Sequence, residues 1–363
     1  MENSTFIIAE VGVNHNGSLD LAIDLIDAAS QSGANAVKFQ TFKSEAVISR
    51  FAPKADYQVR STGEDESQLE MIRKLELDES AHRKLVKHCA NRSIQYLSTP
   101  FDTFSLDFLA YELDVSILKI SSGEITNGPL LLKAAQSRKP VILSTGMSTL
   151  GEIESALGVL AFGYTSENGQ TPSVQEFEKS YGSSKGQFAL RNKVTLLHCT
   201  TEYPAPFADA NIQAINTLRM AFHLPVGYSD HTEGISVPIA AVALGAVIIE
   251  KHFTLDRSLP GPDHRASLEP DELKLMVQSI REVESSLGSF LKFPAQSEIK
   301  NKIVARKSLV AATDISKDDP FTTSNLAIKR PGTGLSPMRF WEMIGKSAVK
   351  DFIQDEVIID HVD

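Results

Sequence analysis

The sequence predicts an α/β protein, a (β/α)8 TIM barrel followed by a small mixed domain, and three observations lead there. Eight short β-branched apolar runs alternate with amphipathic, helix-length stretches over about the first 285 residues, which suits a closed ring of strand–helix units better than an open sheet. Polar side chains stand at or just past the end of each run. Near the C-terminus the runs shorten and alternate with turns.

In order, Phe6–Val11 carries Glu10 near its end and precedes the amphipathic stretch Leu19–Ser32. Ala36–Phe39 carries Lys38 and runs into Gln40; Ile94–Ser98 runs into Thr99. Ile117–Ile120 carries Lys119, with Ser122 and Glu124 just beyond and a helix expected over Leu130–Ser137. Val141–Leu143 is followed by Ser144 and by the helical stretch Glu152–Leu160. Val194–Leu197 is followed by His198, Pro225–Gly227 by Ser229 and His231, and Ala246–Glu250 by His252. Catalytic groups of such barrels sit at the C-terminal ends of the strands, so these polar residues at corresponding positions form a candidate site.

Residues 163–193 are polar and rich in Ser and Gly, an expected surface insertion with a helix near Val174–Tyr181. The expected domains are a barrel over 1–285, a linker over 286–305 and a compact domain over 306–363, with short runs at Ser308–Ala311, Leu326–Ile328 and Glu356–Ile359.

At 363 residues the chain exceeds one average domain of about 150 residues, and its 42% apolar content supports a large core. The net charge of -10, with no basic run, argues against nucleic acid or an anionic membrane as partner, so an anionic substrate must meet local lysines. Cys89 and Cys199 form no CxxC pair and suit a reducing compartment. The first residues lack a basic leader, and the longest apolar run, Val237–Ile249, falls short of the roughly 18 residues that span a bilayer. A cytoplasmic protein is expected.

His231 and His252 are expected at the ends of adjacent parallel strands. Imidazoles bind borderline cations such as Mn, Fe, Co or Zn, and two of them leave positions open for water and substrate oxygen. The plainer reading is that each merely hydrogen-bonds at a strand end. Lys38 and Lys119, with the hydroxyls of Thr99, Ser122, Ser144 and Ser229, suit a small, highly anionic ligand. Alternatives are a structural Lys119–Glu124 ion pair and a Schiff-base lysine; a metal-polarised carbonyl would make an imine redundant.

Ordered motifs then carry a resemblance: Ile8-Ala-Glu-Val-Gly-Val-Asn-His-Asn-Gly17, Ala36-Val-Lys-Phe-Gln-Thr41, Leu97-Ser-Thr-Pro-Phe101, Lys119-Ile-Ser-Ser-Gly-Glu124 and Leu143-Ser-Thr-Gly-Met147. With them stand Leu197-His-Cys-Thr-Thr-Glu-Tyr-Pro204, Gly227-Tyr-Ser-Asp-His-Thr232, Glu250-Lys-His-Phe-Thr254, Gly261-Pro-Asp263 and Lys329-Arg-Pro-Gly332. Across nearly its whole length the chain resembles the sialic acid synthase family. The resemblance implies a barrel with a C-terminal antifreeze-like (SAF) domain. It also implies condensation of phosphoenolpyruvate with an N-acylated mannosamine-type sugar, giving a nonulosonic acid and phosphate. N-acetylmannosamine is the first expectation; a sugar with a second acylamino group, as in legionaminic acid synthesis, is the main alternative, and pseudaminic acid synthesis a third.

By the same resemblance His231 and His252 hold a divalent metal, Mn2+ first with Mg2+ or Co2+ as alternatives. Lys38, Thr99, Lys119, Ser122, Ser144 and Ser229 grip phosphoenolpyruvate; Gln40, Glu124, Tyr203, Asp263 and Arg330 face the sugar. Glu10 orients or deprotonates the attacking water and is expected to stay ionised. A domain-swapped homodimer is implied, with Arg330 acting in trans. Thr201-Glu202 and Ser61-Thr-Gly-Glu64 depart from the family pattern, which points to altered contacts near phosphoenolpyruvate and the sugar's N-acyl group. Two readings of another class are a noncatalytic sugar-phosphate sensor and an independent ice- or carbohydrate-binding C-terminal module.

Overall fold

The computed structural model describes residues 4–54, 58–59, 66–167 and 169–359, so the segment 61–64 lies outside the described residues. The strands are β1 (Phe6–Gly12), β2 (Ala36–Thr41), β3 (Gln95–Pro100), β4 (Leu118–Ile120), β5 (Val141–Ser144), β6 (Val194–Cys199), β7 (Val226–Asp230) and β8 (Ile248–His252). They form a nearly closed parallel barrel in the order β3-β2-β1-β8-β7-β6-β5-β4. At the seam between β3 and β4, Gln95 Nε2 donates to Ser116 Oγ at 2.8 Å.

Most strands reach further toward their C-terminal ends than the apolar runs suggest. A hydrophobic run ends at its first polar residue, whereas the ladder continues: Gln40 pairs with Thr99, Ser229 with Glu250, Asp230 with Lys251 and Glu10 with His252. Polar residues belong inside strands here because the barrel mouth is lined by them. One layer below, Ile8, Ala36, Leu97, Ile142, Leu197 and Ile248 pack together as an apolar plug. Each lies two residues before a mouth residue, on the same face of its strand. Gly227 in this layer has no room for a side chain, since a Cβ would stand 2.6 Å from the Ile248 carbonyl oxygen and 2.7 Å from Leu197 Cδ2.

The outer core lies between strands and helices. The helix Leu19–Gln31 buries Ala22, Leu25, Ile26 and Ala29 and starts at Ser18, whose side chain accepts from Leu21 N. Leu150–Thr165 begins with a reciprocal Thr149–Glu152 capping box. The 163–193 stretch is more structured than a polar surface insertion. Val174–Tyr181 is helical, as expected, but Ser184–Lys193 is a second helix. Phe177 meets Phe162 edge-on at 5.3 Å, and Leu190 is buried. Apolar residues spaced among polar ones hid this packing.

The chain divides into two compact units between Gly288 and Ser289. The last barrel-side helix extends to Leu287, and residues 289–305, read as linker, include the helix Ile299–Ala305 within the second unit. There β9 (Ser308–Ala311) pairs antiparallel with β10 (Leu326–Lys329) around a core that includes Leu309, Phe321, Leu335, Phe352 and Ile358. Glu356–Ile359 forms no strand of its own; Val357 makes an isolated bridge to Val310. Among the described residues no helix is long and apolar enough to cross a membrane.

Candidate active site

Above the apolar plug lies a cavity of about 310 Å3. Alternation along the strands sends Glu10, Lys38, Thr99, Lys119, Ser144, Ser229, Glu250 and His252 into it, and the parallel register sets them side by side. Lys38 Nζ lies 2.6 Å from Glu10 Oε2 and 3.7 Å from Glu250 Oε2, and donates to Thr99 Oγ1 at 3.1 Å. Lys119 Nζ stands 3.4 Å from Glu250 Oε1, which accepts from Ser229 Oγ at 2.9 Å. Both lysines are buried, so two ammonium groups share one water-poor cup with two carboxylates.

Burial dominates the electrostatics. It pushes the Glu10 carboxyl up to about 7 against the pull of Lys38. Against burial, Lys119 and then Lys38 hold Glu250 down to about 2. Burial lowers Lys119; Lys38 is held above its ordinary value, despite burial, by Glu10 and Glu250. Burial alone raises Asp263 to about 6.

The hydroxyls of Ser121, Ser144 and Thr201 are buried without hydrogen-bond partners among the described residues. Ser122 Oγ accepts from Gly146 N at 2.9 Å and lies 3.2 Å from Cys199 Sγ. Unspent donors beside two lysines favour an oxyanion ligand. Gly12, with φ +56°, turns the chain over Glu10: a Cβ there would stand 3.2 Å from Glu10 Oε1 and 3.3 Å from Gln40 Nε2.

The imidazoles of His231 and His252 lie 5.4 Å apart between ring centres, with the Tyr203 ring 4.2 Å from the first and 5.4 Å from the second. His231 Nδ1 lies 2.6 Å from the Thr200 carbonyl, which fixes it as the protonated nitrogen and leaves Nε2 a lone pair. His252 Nδ1 is buried without a hydrogen-bond partner among the described residues, 4.0 Å from Asp263 Oδ2. Burial holds both rings below their ordinary pKa, His252 furthest because His231 and Lys38 add repulsion. Two neutral imidazoles with open lone pairs suit a divalent cation. Among the described residues no group of three or more His, Cys, Asp and Glu forms a metal cluster, so a cation held there would also need water or substrate oxygens.

Part of the cavity wall is apolar: Val13, Phe42, Val47, Ile72 and Phe101 belong to one packed cluster, and Ile48 and Met147 also line the cavity. Of the residues singled out from sequence, Glu10, Lys38, Gln40, Thr99, Lys119, Ser122, Ser144, Tyr203, Ser229, His231, His252 and Asp263 all line this one cavity. Glu124 does not line it; its Oε2 accepts from Asn127 Nδ2 at 2.6 Å, and Lys119 pairs with Glu250 rather than with Glu124. His198 turns away, its Nε2 2.9 Å from the Ala210 carbonyl. Arg330 belongs to the second unit, where Nε donates to the Ala305 carbonyl at 3.1 Å. Sequence reading gave no role to Glu250, although it stands two residues before His252 and so on the same strand face; Ser121, Cys199 and the apolar wall were also missed, whereas Thr201, singled out as a departure from the family pattern, does line the cavity.

The NeuB family model matches residues 25–292, about three-quarters of the chain. The chain belongs to the NeuB family. The SAF domain model matches residues 306–360 within the second unit. Among curated relatives, the N,N'-diacetyllegionaminic acid synthase of Campylobacter jejuni is 52% identical, over 98% of both chains. That of Legionella pneumophila is 45% identical, over 94% of this chain and 89% of its own. Among solved structures, the N-acetylneuraminic acid (sialic acid) synthetase of Leptospira borgpetersenii, crystallised with citrate, is 36% identical with a TM-score of 0.66, over 82% of this chain and 90% of its own. Like these NeuB-family relatives, the protein is an enzyme.

Proposed function

We propose that this enzyme condenses phosphoenolpyruvate with 2,4-diacetamido-2,4,6-trideoxymannose and water, giving N,N'-diacetyllegionaminic acid and phosphate. The observation that carries the reading is the mixed lining of one cavity, which combines two lysines and unspent hydroxyls with aliphatic and aromatic side chains. The lysines and hydroxyls suit a phosphate and carboxylate on one small molecule. The wall suits a sugar whose C6 is a methyl group and whose second acetamido group adds another methyl, whereas a 6-hydroxyl would lie there unsolvated. Two relatives, 52% and 45% identical, are named for this reaction, which puts it ahead of N-acetylmannosamine.

In this mechanism Lys38, Lys119, Thr99, Ser122, Ser144 and Ser229 hold phosphoenolpyruvate, while Gln40, Tyr203 and Asp263 meet the open-chain sugar. His231 and His252 would hold the divalent ion, Mn2+ by preference, which when bound supplies Lewis-acid polarisation of an aldehyde. C3 of phosphoenolpyruvate forms the new bond to the sugar's C1, whose oxygen takes up a proton. Positive charge develops at C2, water adds there, Glu10 holds or accepts the water's proton, and cleavage of the C2–O bond expels phosphate beside the lysines. Arg330 would complete the sugar side from a partner copy in a homodimer, as the family resemblance implies.

The test is phosphate release with phosphoenolpyruvate, Mn2+ and each of three sugars: the 2,4-diacetamido sugar, its pseudaminic-series stereoisomer and N-acetylmannosamine. The highest kcat/KM is expected with the first. A preference for N-acetylmannosamine would replace this substrate assignment, and no phosphate release with any of the three would remove the synthase reading.

A further inference from the structure

We propose that the buried Asp230–Lys251 ion pair is a positioning clamp that holds His231 and His252 at their mutual spacing, an inference that rests on the metal assignment above. The two residues are strand partners, the last ladder pair between β7 and β8, and each immediately precedes one of the histidines. Their side chains point away from the cavity and are wholly inaccessible, with Lys251 Nζ 2.5 Å from Asp230 Oδ2.

The clamp begins where the ladder stops. β8 continues into His252, which pairs with Glu10 on β1, but β7 ends at Asp230. His231 is therefore one residue beyond the last rung toward β8. His231 itself is bonded through Nδ1 to the Thr200 carbonyl and through its own carbonyl to Ala205 N–H at 2.8 Å, and the ion pair holds its flanks toward β8. Asp230 Oδ1 accepts from the backbone N–H of Thr232 at 3.0 Å and from its hydroxyl at 2.9 Å, closing a tight loop around His231. From the neighbouring strand, Lys251 Nζ donates both to Asp230 and to the Thr232 carbonyl. One ammonium thus ties both residues flanking His231 to the residue beside His252.

Stability alone does not account for charges at this place. Desolvating an ammonium and a carboxylate offsets most of their attraction, and apolar side chains of similar volume commonly stabilise as well or better. What an apolar pair lacks is direction: it cannot fix both the backbone N–H and the carbonyl of Thr232, the residue that follows His231. Ligand orientation of this kind matters because outer partners of metal-binding imidazoles typically change metal affinity or activity by about 10–100-fold.

The experiment uses the full-length double variant Asp230→Asn with Lys251→Met, which removes both charges, keeps the volumes close and leaves an oxygen for the Thr232 N–H. Mn2+ affinity is measured by calorimetry, kcat and KM by phosphate release, and folding by far-UV circular dichroism and thermal melting. A folded variant is expected to lose about 10–100-fold in Mn2+ affinity and a similar factor in kcat, with KM for phosphoenolpyruvate unchanged because Lys38 and Lys119 are intact. Wild-type Mn2+ affinity and kcat in a cooperatively melting variant would overturn the clamp. Should the double variant not fold, Lys251→Arg keeps the charge but displaces its tip, and the same readouts and outcomes apply. If wild-type enzyme binds no Mn2+ and turns over in chelator, the metal reading fails on its own. The clamp then stands if kcat still drops at least about tenfold with KM for phosphoenolpyruvate unchanged, and falls if kcat is unchanged.

Discussion

Replacing Lys119 with Met separates a substrate-gripping lysine from a merely structural one. Lys119 is 3% exposed, and its ion-pair partner among the described residues, Glu250, stands at 3.4 Å. That exceeds the roughly 2.7–2.9 Å of a charge-assisted hydrogen bond, so the ammonium retains donor capacity toward the cavity. A hydrogen bond to a charged group is worth about 1.5–3 kcal/mol, which corresponds to a rise in KM for phosphoenolpyruvate of about 10–150-fold. Glu250 keeps Ser229 at 2.9 Å and Lys38 at 3.7 Å after the change. The stability loss should therefore stay below the roughly 3–5 kcal/mol of a buried charge left wholly unpaired. Steady-state phosphate release with each substrate varied in turn, beside urea denaturation, reads both quantities. A KM for phosphoenolpyruvate within about threefold of wild type, together with a large stability loss, would mean that Lys119 only neutralises Glu250.

Substituting His231 or His252 by Ala should abolish metal-dependent turnover and Mn2+ binding with the fold intact; undiminished activity after thorough chelation would refute the metal assignment. Mixing Arg330→Ala subunits with His231→Ala subunits, each nearly inactive alone, should restore up to about half of wild-type activity per heterodimer if Arg330 crosses the interface, because one site then carries neither defect. No recovery despite demonstrated subunit exchange would refute action in trans. Acid should also weaken the barrel. Burial lowers His82 to about 4 and His15 to about 3, below the roughly 6.5 of an unfolded chain. The unfolded state thus binds protons that the native state refuses, and the stability present above pH 6.5 is lost as pH falls toward 4, on the order of 2–3 kcal/mol for His82 by pH 4.5. Urea unfolding at pH 7 and 4.5 should show a smaller drop for His82→Gln than for wild type; equal drops would exclude this cause.

The barrel was legible because strand and helix periodicities alternate through most of the chain, and the mouth because polar residues recur just where apolar runs end. Glu250 was legible in position but not in role: nothing in the run Ala246–Glu250 says that a carboxylate will stand beside lysines contributed by β2 and β4, since that neighbourhood is created by barrel closure. His198 occupies the same kind of position as His231, yet its ring turns to the Ala210 carbonyl. Strand-end location alone does not separate a site residue from a structural one. The apolar wall was invisible for a related reason: Val13, Phe42, Ile72 and Phe101 read as ordinary core residues until the loops after β1, β2 and β3 bring them together. Asp230 and Lys251 alternate with the site residues and read as plain charges until both are seen to be buried.

The most direct test of the account is the fate of oxygen when the reaction runs in water labelled with oxygen-18. Attack of water at C2 beside Glu10, with C–O cleavage, predicts label in the keto acid and unlabelled phosphate, after correction for exchange of the product's carbonyl oxygen measured on unlabelled product. Label in the phosphate would place the attack at phosphorus and contradict the mechanism.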